Sequence, residues 1–157
     1  MRKHILFLLT ASTMLLTVPT PSFAAESAPQ ISEIEAIDSS LVPYASNYFS
    51  GSTGTMNSLN GQESTAFNIS SGSVPSNAKV SSVTLNVTVS SGSAPFYLQV
   101  KHPNGDIAQE YITGSGSKSV TLPQFNDTDP TGTWKVSIIS TGVVSTATAR
   151  MTVNYTY

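Results

Sequence analysis

The oxygen-rich run NDTDPTGTW, residues 126–134, contains the residue types that could hold a metal ion. It supplies Asn126, Asp127 and Asp129 within a short stretch, and the nearby segment PNGD adds Asp106. Calcium takes about six to eight oxygen ligands, so these side chains form a site only if the two loops converge. Asp and Asn are also favoured in turns because they bond their own backbone. A calcium site and an ordinary turn are therefore both open interpretations.

Aromatic side chains are the second group with binding chemistry. Tyr97 and Tyr111 lie in polar, alternating segments, and an exposed row of tyrosines on a sheet face would suit a glycan or a peptide. Trp134, the only tryptophan, is in phase with Val136 and Ile138. This phase favours burial with the indole N–H bonded to a loop carbonyl, although stacking on a sugar is the alternative. Our candidate binding residues are Tyr97, Tyr111 and Trp134.

Catalytic groups are sparse. His102 is the only histidine after the N-terminal segment, the chain has no cysteine, and no Gly-x-Ser-x-Gly motif is present. Paired carboxylates for glycoside cleavage could come from a few acids, but the sequence does not show that any two face each other. We therefore expect a non-enzyme. The acids concerned are Glu63, Asp106, Glu110 and Asp127.

The N-terminal residues have the layout of a cleaved secretory signal peptide. Arg2 and Lys3 precede an apolar stretch from Ile5 to Val18, and a small-residue exit ends at Ala24. The apolar stretch is too short for a spanning helix. We predict a signal peptide over residues 1–24, a secreted protein without a stable membrane span after cleavage, and possible attachment to a cell wall. Cysteine-free exported proteins are common in Gram-positive bacteria, which is the expected source.

The charge of the exported chain argues against two classes of partner. Cleavage after Ala24 leaves 133 residues (157 − 24), with five Lys and Arg against nine Asp and Glu, a net charge of −4 (5 − 9). Nucleic acids and anionic membranes require a basic surface. We therefore expect no nucleic-acid partner. Without cysteine, packing rather than disulfide bonds must stabilise the exported chain.

Hydrophobic periodicity divides the exported chain into two parts. Residues 25–43 form an acidic leader with apolar residues at helix-like intervals, which predicts weak order or a short helix. Residues 44–60 are rich in turn formers and predict loops or a short irregular edge strand. From Glu63 onward, apolar and polar residues alternate with period two, typical of half-buried strands. We assign residues 44–157 to an all-β, antiparallel β-sandwich of about 7–8 strands.

Four alternating segments supply the predicted core. Asn104-Gly105, after the second of them, indicates a tight two-residue hairpin, because both turn positions would need positive φ. The residues expected to point inward are Val83, Leu85, Val87 and Val89, then Phe96, Leu98 and Val100, then Trp134, Val136 and Ile138, and finally Ala147, Ala149, Met151, Val153 and Tyr155.

The order of these features resembles the P-domain, the accessory domain of proprotein convertases and secreted bacterial proteases. The matching pieces are the strand KVSSVTLNVTV, the strand and turn FYLQVKHPNG, and the block FNDTDPTGTW followed by KVSIIS and a turn at Gly142. The resemblance covers roughly residues 66–157. It implies a jelly-roll sandwich that stabilises or docks and performs no catalysis.

The sequence thus favours a secreted, non-catalytic binding or structural module that acts outside the cell or in its wall. Its expected partner is an extracellular glycan, a cell-wall polymer or a protein, and calcium is the one cofactor considered. One alternative is a toxin-like or antimicrobial effector that assembles on a target surface through its Ser/Thr-rich strands. A second alternative is a small secreted hydrolase.

Overall fold

The computed structural model describes residues 44–157, which form two antiparallel β-sheets packed face to face. The predicted signal peptide, 1–24, and leader, 25–43, lie outside the described residues. No helix within residues 44–157 is long and apolar enough to cross a membrane. The strands are β1 Ser46–Ser52, β2 Met56–Leu59, β3 Phe67–Ser70, β4 Lys79–Val89, β5 Phe96–Lys101, β6 Ile107–Ile112, β7 Gly116–Thr121, β8 Thr133–Ser140 and β9 Val144–Thr156, with a 3₁₀ turn at Pro123–Phe125.

The strand order is that of a jelly roll. Sheet A has the order β1-β9-β4-β7, with β2 also paired to β9, and sheet B has the order β3-β8-β5-β6. β1 and β2 pair with successive parts of β9, so the nine strands occupy eight positions. Eight strands in two interleaved four-stranded sheets are the double Greek key of jelly rolls. The predicted all-β, antiparallel, jelly-roll-like sandwich is confirmed.

Period-two alternation explains why the long strands form and which face each one buries. In β4, Val83, Leu85 and Val87 are fully buried while the residues between them face outward. Val80 is also buried, three residues before Val83, because a bulge interrupts the pairing with β9 between Val80 and Ser82. The bulge adds one residue to the strand, so Val80 and Val83 face the core although they are three positions apart. All the residues predicted to point inward are buried between the two sheets.

The segment predicted as loops or an irregular edge forms two regular strands. Gly51 lies so close to β3 that an added Cβ would be 2.7 Å from Cγ2 of Ile69. Between β1 and β2, Thr53 continues the pairing, because its N–H donates to Ala149 O (2.8 Å) and its Oγ1 accepts from Ala149 N–H (2.8 Å). Glycine and polar residues therefore serve here as sheet residues, although their composition is typical of loops.

The predicted two-residue hairpin at Asn104-Gly105 is wrong. His102 N–H donates to Asp106 O (2.8 Å), so three residues, Pro103, Asn104 and Gly105, form the loop between β5 and β6. Only Gly105 of these three has a positive φ, +106°. Proline fixes its own φ near −65°, and a three-residue hairpin needs a left-handed residue only at its end.

Candidate functional site

The outer face of sheet B carries two of the three predicted binding residues. Tyr97 of β5 and Tyr111 of β6 are directly opposite each other in the antiparallel register. Their ring centroids are 5.1 Å apart with planes inclined at 45°, and the side chains are 41% and 48% exposed. We call these residues the tyrosine pair. Together they present adjoining aromatic surface to solvent on a face that also carries polar side chains and the aliphatic Ile107 and Ile139.

A hydrogen-bonded row of polar side chains lies beside the tyrosine pair. Gln99 is two residues along β5 from Tyr97 and is opposite both Gln109 of β6 and Ser137 of β8. Gln109 Nε2 donates to Gln99 Oε1 (2.7 Å), and Gln99 Nε2 donates to Glu63 Oε1 (3.1 Å). Ser137 Oγ donates to the same carboxylate oxygen (2.6 Å). We call Glu63, Ser137, Gln99 and Gln109 the amide row.

The amide row is held in one orientation by its own bonds. Glu63 forms a single antiparallel bridge with Ile139 near the end of β8. Its carboxylate therefore reaches the outer face of sheet B, where it accepts the bond from Ser137. Because Gln99 donates to Glu63 and accepts from Gln109, its amide orientation is fixed. Gln109 Oε1 and the second Glu63 oxygen still have acceptor capacity. The row therefore presents the pre-oriented polar groups of Glu63, Gln99 and Gln109 next to two exposed rings, while Ser137 is buried.

A third row completes the outer face of sheet B. Lys101 of β5 is directly opposite Lys135 of β8, with Ile107 and Asn68 at the two ends of the row. Both lysines are exposed. We call Lys101 and Lys135 the lysine pair. Lys101 is four positions along β5 from Tyr97, so the face runs for about 13 Å along this strand.

Trp134, the third predicted binding residue, is not on this face. Its side chain is 0% exposed and its Nε1–H donates to Pro130 O (3.1 Å). The ring packs edge-on against Phe125 (5.2 Å between centroids) and against His102 (4.5 Å). A ring with no accessible surface cannot stack on a ligand. Trp134 is therefore a core residue, as its phase with Val136 and Ile138 favoured, and it is not a binding residue.

His102 is buried beside Trp134 and has a bond at each ring nitrogen. Asn104 N–H donates to Nδ1 (3.1 Å), so Nδ1 is the acceptor and Nε2 carries the hydrogen. Nε2–H then donates to Asp129 O (3.0 Å). The ring is 3% exposed and stacks on Phe125 with centroids 5.6 Å apart. His102 therefore ties the β5–β6 loop to the loop before β8.

The two loops of the calcium hypothesis do converge, through His102 and through the close approach of Gly132 to Pro103. Their carboxylates, however, bond within their own loops. Asp106 Oδ2 accepts from Asn104 Nδ2 (2.8 Å). Asp129 Oδ1 accepts from the N–H of Thr131 (2.9 Å), and this bond lowers the pKa of Asp129.

The other two candidate ligands also occupy turn positions. Asn126 N–H donates to Pro123 O (3.1 Å), which ends the 3₁₀ turn, and Asp127 has a left-handed φ of +64°. Across residues 44–157, no three His, Cys, Asp or Glu side chains are grouped as metal ligands would be. These geometries favour the turn interpretation of Asn126, Asp127, Asp129 and Asp106.

The amide row could be predicted from the sequence only in part. Gln99 alternates with the inward residues of β5, so its outward direction follows from periodicity. Gln109 pairs with it only through the hairpin register. Glu63 belongs to no alternating segment and reaches the site through a pairing with Ile139, 76 residues away (139 − 63). No local pattern signals that contact.

No pocket is present in the part of the chain that the structure describes.

No family model matches the chain, and no curated protein matches it either. Among solved structures, the capsid asymmetric unit of cyanophage Pam1 is similar to this chain at 17% sequence identity, over 73% of this chain and 84% of that chain, with a TM-score of 0.41. The strand order of the two sheets is by itself that of a jelly roll.

Proposed function

We propose that this chain is a secreted bacterial, non-catalytic β-sandwich module that binds an extracellular or cell-wall glycan through the outer face of sheet B. The observation that carries the proposal is the tyrosine pair, two adjoining exposed rings at 5.1 Å. An accessory module of this kind also agrees with the P-domain resemblance of residues 66–157.

The chemistry of the face matches the two surfaces of a sugar ring. The faces of aromatic rings carry partial negative charge and attract the weakly positive C–H groups of a sugar. The amide row beside them offers donors and acceptors that sugar hydroxyls can use, and its internal bonds orient these groups before a ligand arrives. Pre-orientation lowers the conformational entropy lost on binding. Tyrosine loses little side-chain entropy for the contact area that it provides.

The non-catalytic part of the proposal is supported by His102 and Glu63. Both nitrogens of His102 bond to backbone groups and the ring is buried, so it is not placed to exchange a proton with a substrate. One oxygen of Glu63 already accepts hydrogen bonds from Gln99 and Ser137, so that oxygen is engaged within the sheet rather than free to contact a substrate. A screen for hydrolysis of wall polysaccharides that finds turnover would contradict this part.

Binding of the exported chain to immobilised cell-wall polysaccharides and soluble oligosaccharides tests the proposal. Tyr97→Ala and Tyr111→Ala are each expected to weaken glycan binding about tenfold, which corresponds to about 1.4 kcal/mol. The matched control is Tyr48→Ala, because Tyr48 is 62% exposed but lies on sheet A. Circular dichroism checks that each variant is folded. Equal losses in all three variants, or none, would contradict the assignment of this face.

A second function, assembly on a target surface, is favoured by an exposed aliphatic cluster at the end of the sandwich. Leu59 pairs with Val144, and Val143 is exposed beside them. At the β6 and β7 edges, however, Glu110 and Lys118 occupy positions in phase with core residues, a placement that opposes edge-to-edge association. This function requires concentration-dependent assembly or vesicle leakage that Val143→Ser reduces.

A further inference from the structure

We infer that the glycan bound by the outer face of sheet B is anionic, and that the lysine pair, Lys101 and Lys135, binds its carboxylate or phosphate group. This inference rests on the proposed function and adds the chemical class of the ligand.

The lysine pair is an unfavourable arrangement for folding alone. Lys101 and Lys135 are direct cross-strand partners, and side chains in that relation have Cβ atoms about 5 Å apart. Like charges placed directly opposite destabilise a sheet. Lysine is common on edge strands, where it prevents association with other sheets. β5 and β8, however, are the two central strands of sheet B, so edge protection does not explain the pair.

The scarcity of positive charge strengthens this argument. Residues 44–157 contain only five cationic side chains, so two of the five face each other on one small area. The neighbouring carboxylates are already engaged, because Glu63 accepts from Ser137 and Gln99, and Asp106 accepts from Asn104. An anionic ligand would relieve the repulsion between the two ammonium groups. The five cations are Lys79, Lys101, Lys118, Lys135 and Arg150.

The spacing of the face defines how such a ligand would lie. The tyrosine pair and the lysine pair are at opposite ends, about 13 Å apart along β5, with the amide row between them. A short oligosaccharide on the rings would contact the amide row and bring a charged substituent of its next units to Lys101 and Lys135. Lysine ammonium groups act as point charges, so they can bind a carboxylate or a phosphate group.

The test compares charged and uncharged forms of the same polymer on the full exported chain. Polygalacturonate and its methyl ester form the carboxylate arm, and a phosphomannan and its dephosphorylated form are the phosphate arm. We expect at least one charged polymer to bind about tenfold more tightly than its neutral form, and this preference to shrink as salt rises from about 0.05 to 0.5 M, because salt screens exposed charges. The arm with the preference identifies the anionic group.

Matched lysine variants localise the effect. The double variant Lys101→Gln/Lys135→Gln should abolish the preference for the charged polymer while binding to the neutral form stays within about twofold. Lys79→Gln removes the same kind of charge from exposed Lys79 on sheet A and should leave the preference intact. Thermal unfolding of each variant establishes that it is folded.

The outcomes separate this inference from the proposed function. Equal binding of charged and neutral polymers, with loss of both in Tyr97→Ala, would overturn the anionic ligand and leave a neutral glycan-binding face. A charge preference unchanged in the lysine double variant would overturn the assignment to Lys101 and Lys135. Binding of no polymer in any arm would overturn both the inference and the proposed function.

Discussion

Replacing His102 with phenylalanine isolates the two hydrogen bonds that join the loops at the Trp134 end of the core. A phenyl ring fills a similar space, so it keeps the edge contact with Trp134 and the stack on Phe125. It loses the bond that Nδ1 accepts from Asn104 and the bond that Nε2 donates to Asp129 O. The variant therefore changes bonding with little change in ring packing.

The expected loss of unfolding free energy for His102→Phe is about 2 kcal/mol. Each intramolecular hydrogen bond contributes about 1 kcal/mol net, and two are removed. We add no full penalty for a stranded polar group, because Asn104 and Asp129 are exposed residues whose backbone groups lie near solvent. For a domain of this size, about 4 °C of melting temperature corresponds to 1 kcal/mol, so we expect a decrease of about 8 °C.

Calorimetry together with urea unfolding measures this loss, and two further variants bracket it. His102→Ala also removes the ring contacts with Phe125 and Trp134 and leaves a cavity, so we expect a total loss of about 4 kcal/mol. Gln124→Ala changes an exposed residue of the adjacent 3₁₀ turn and should have an effect below about 0.5 kcal/mol. A His102→Phe protein as stable as wild type would refute the stabilising role of the loop bonds. Equal losses in the Phe and Ala variants would refute the role of the ring contacts.

The remaining predictions concern charge, calcium and close packing. The hydrogen bond from Thr131 lowers the pKa of Asp129 below its usual 3.8. The stability that the ionised carboxylate contributes is therefore complete above pH 3.8 and is lost as the pH falls through the lower pKa of the folded state. Urea unfolding should show that the difference in stability between wild type and Asp129→Ala shrinks over that acid range. Thermal unfolding curves in calcium and in chelator should coincide, whereas a site filled only in the folded state would raise the melting temperature with calcium concentration. Gly51→Val should lower the unfolding free energy by about 1–3 kcal/mol in calorimetry, because its side chain would overlap Ile69. Lys135→Gln should raise the melting temperature at low salt but not at high salt, since it removes a cross-strand repulsion.

The sequence predicted the sandwich well where one face of a strand is apolar and the other polar. β4, β5, β8 and β9 meet this condition, and the inward residues assigned to them are all buried. The same alternation also assigns Tyr97, Gln99 and Lys101 to one outer face, because side-chain direction in a strand has period two. The tyrosine and lysine pairs depend in addition on register, and register is set by contacts across the sheet.

The strands β1 and β2 were not predictable because long-range packing overrides their local composition. The segment 44–60 has the glycine and serine content of loops, yet it pairs with β9 at the far end of the chain. Gly51 is required there by the close approach of Ile69, a contact between sheets that no local pattern encodes. The hairpin prediction failed for the opposite reason, because it relied on a local signal, Asn104-Gly105, and ignored the residue before it. Pro103 has a fixed φ and belongs to the turn, so the loop contains three residues instead of two.

The outer face of sheet B carries functional information because core packing does not determine its residues. Phe96, Leu98 and Val100 of β5 must be apolar to fill the space between the sheets, whereas the three alternate residues are restricted only by solubility and cross-strand pairing. Under those restrictions alone, oppositely charged or hydroxyl pairs would stabilise the central strands better than two facing lysines. The facing lysines, the pre-oriented amide row and the adjoining tyrosines are thus not explained by the stability of the sheet, and the proposed binding of a charged, hydroxyl-rich polymer depends on all three.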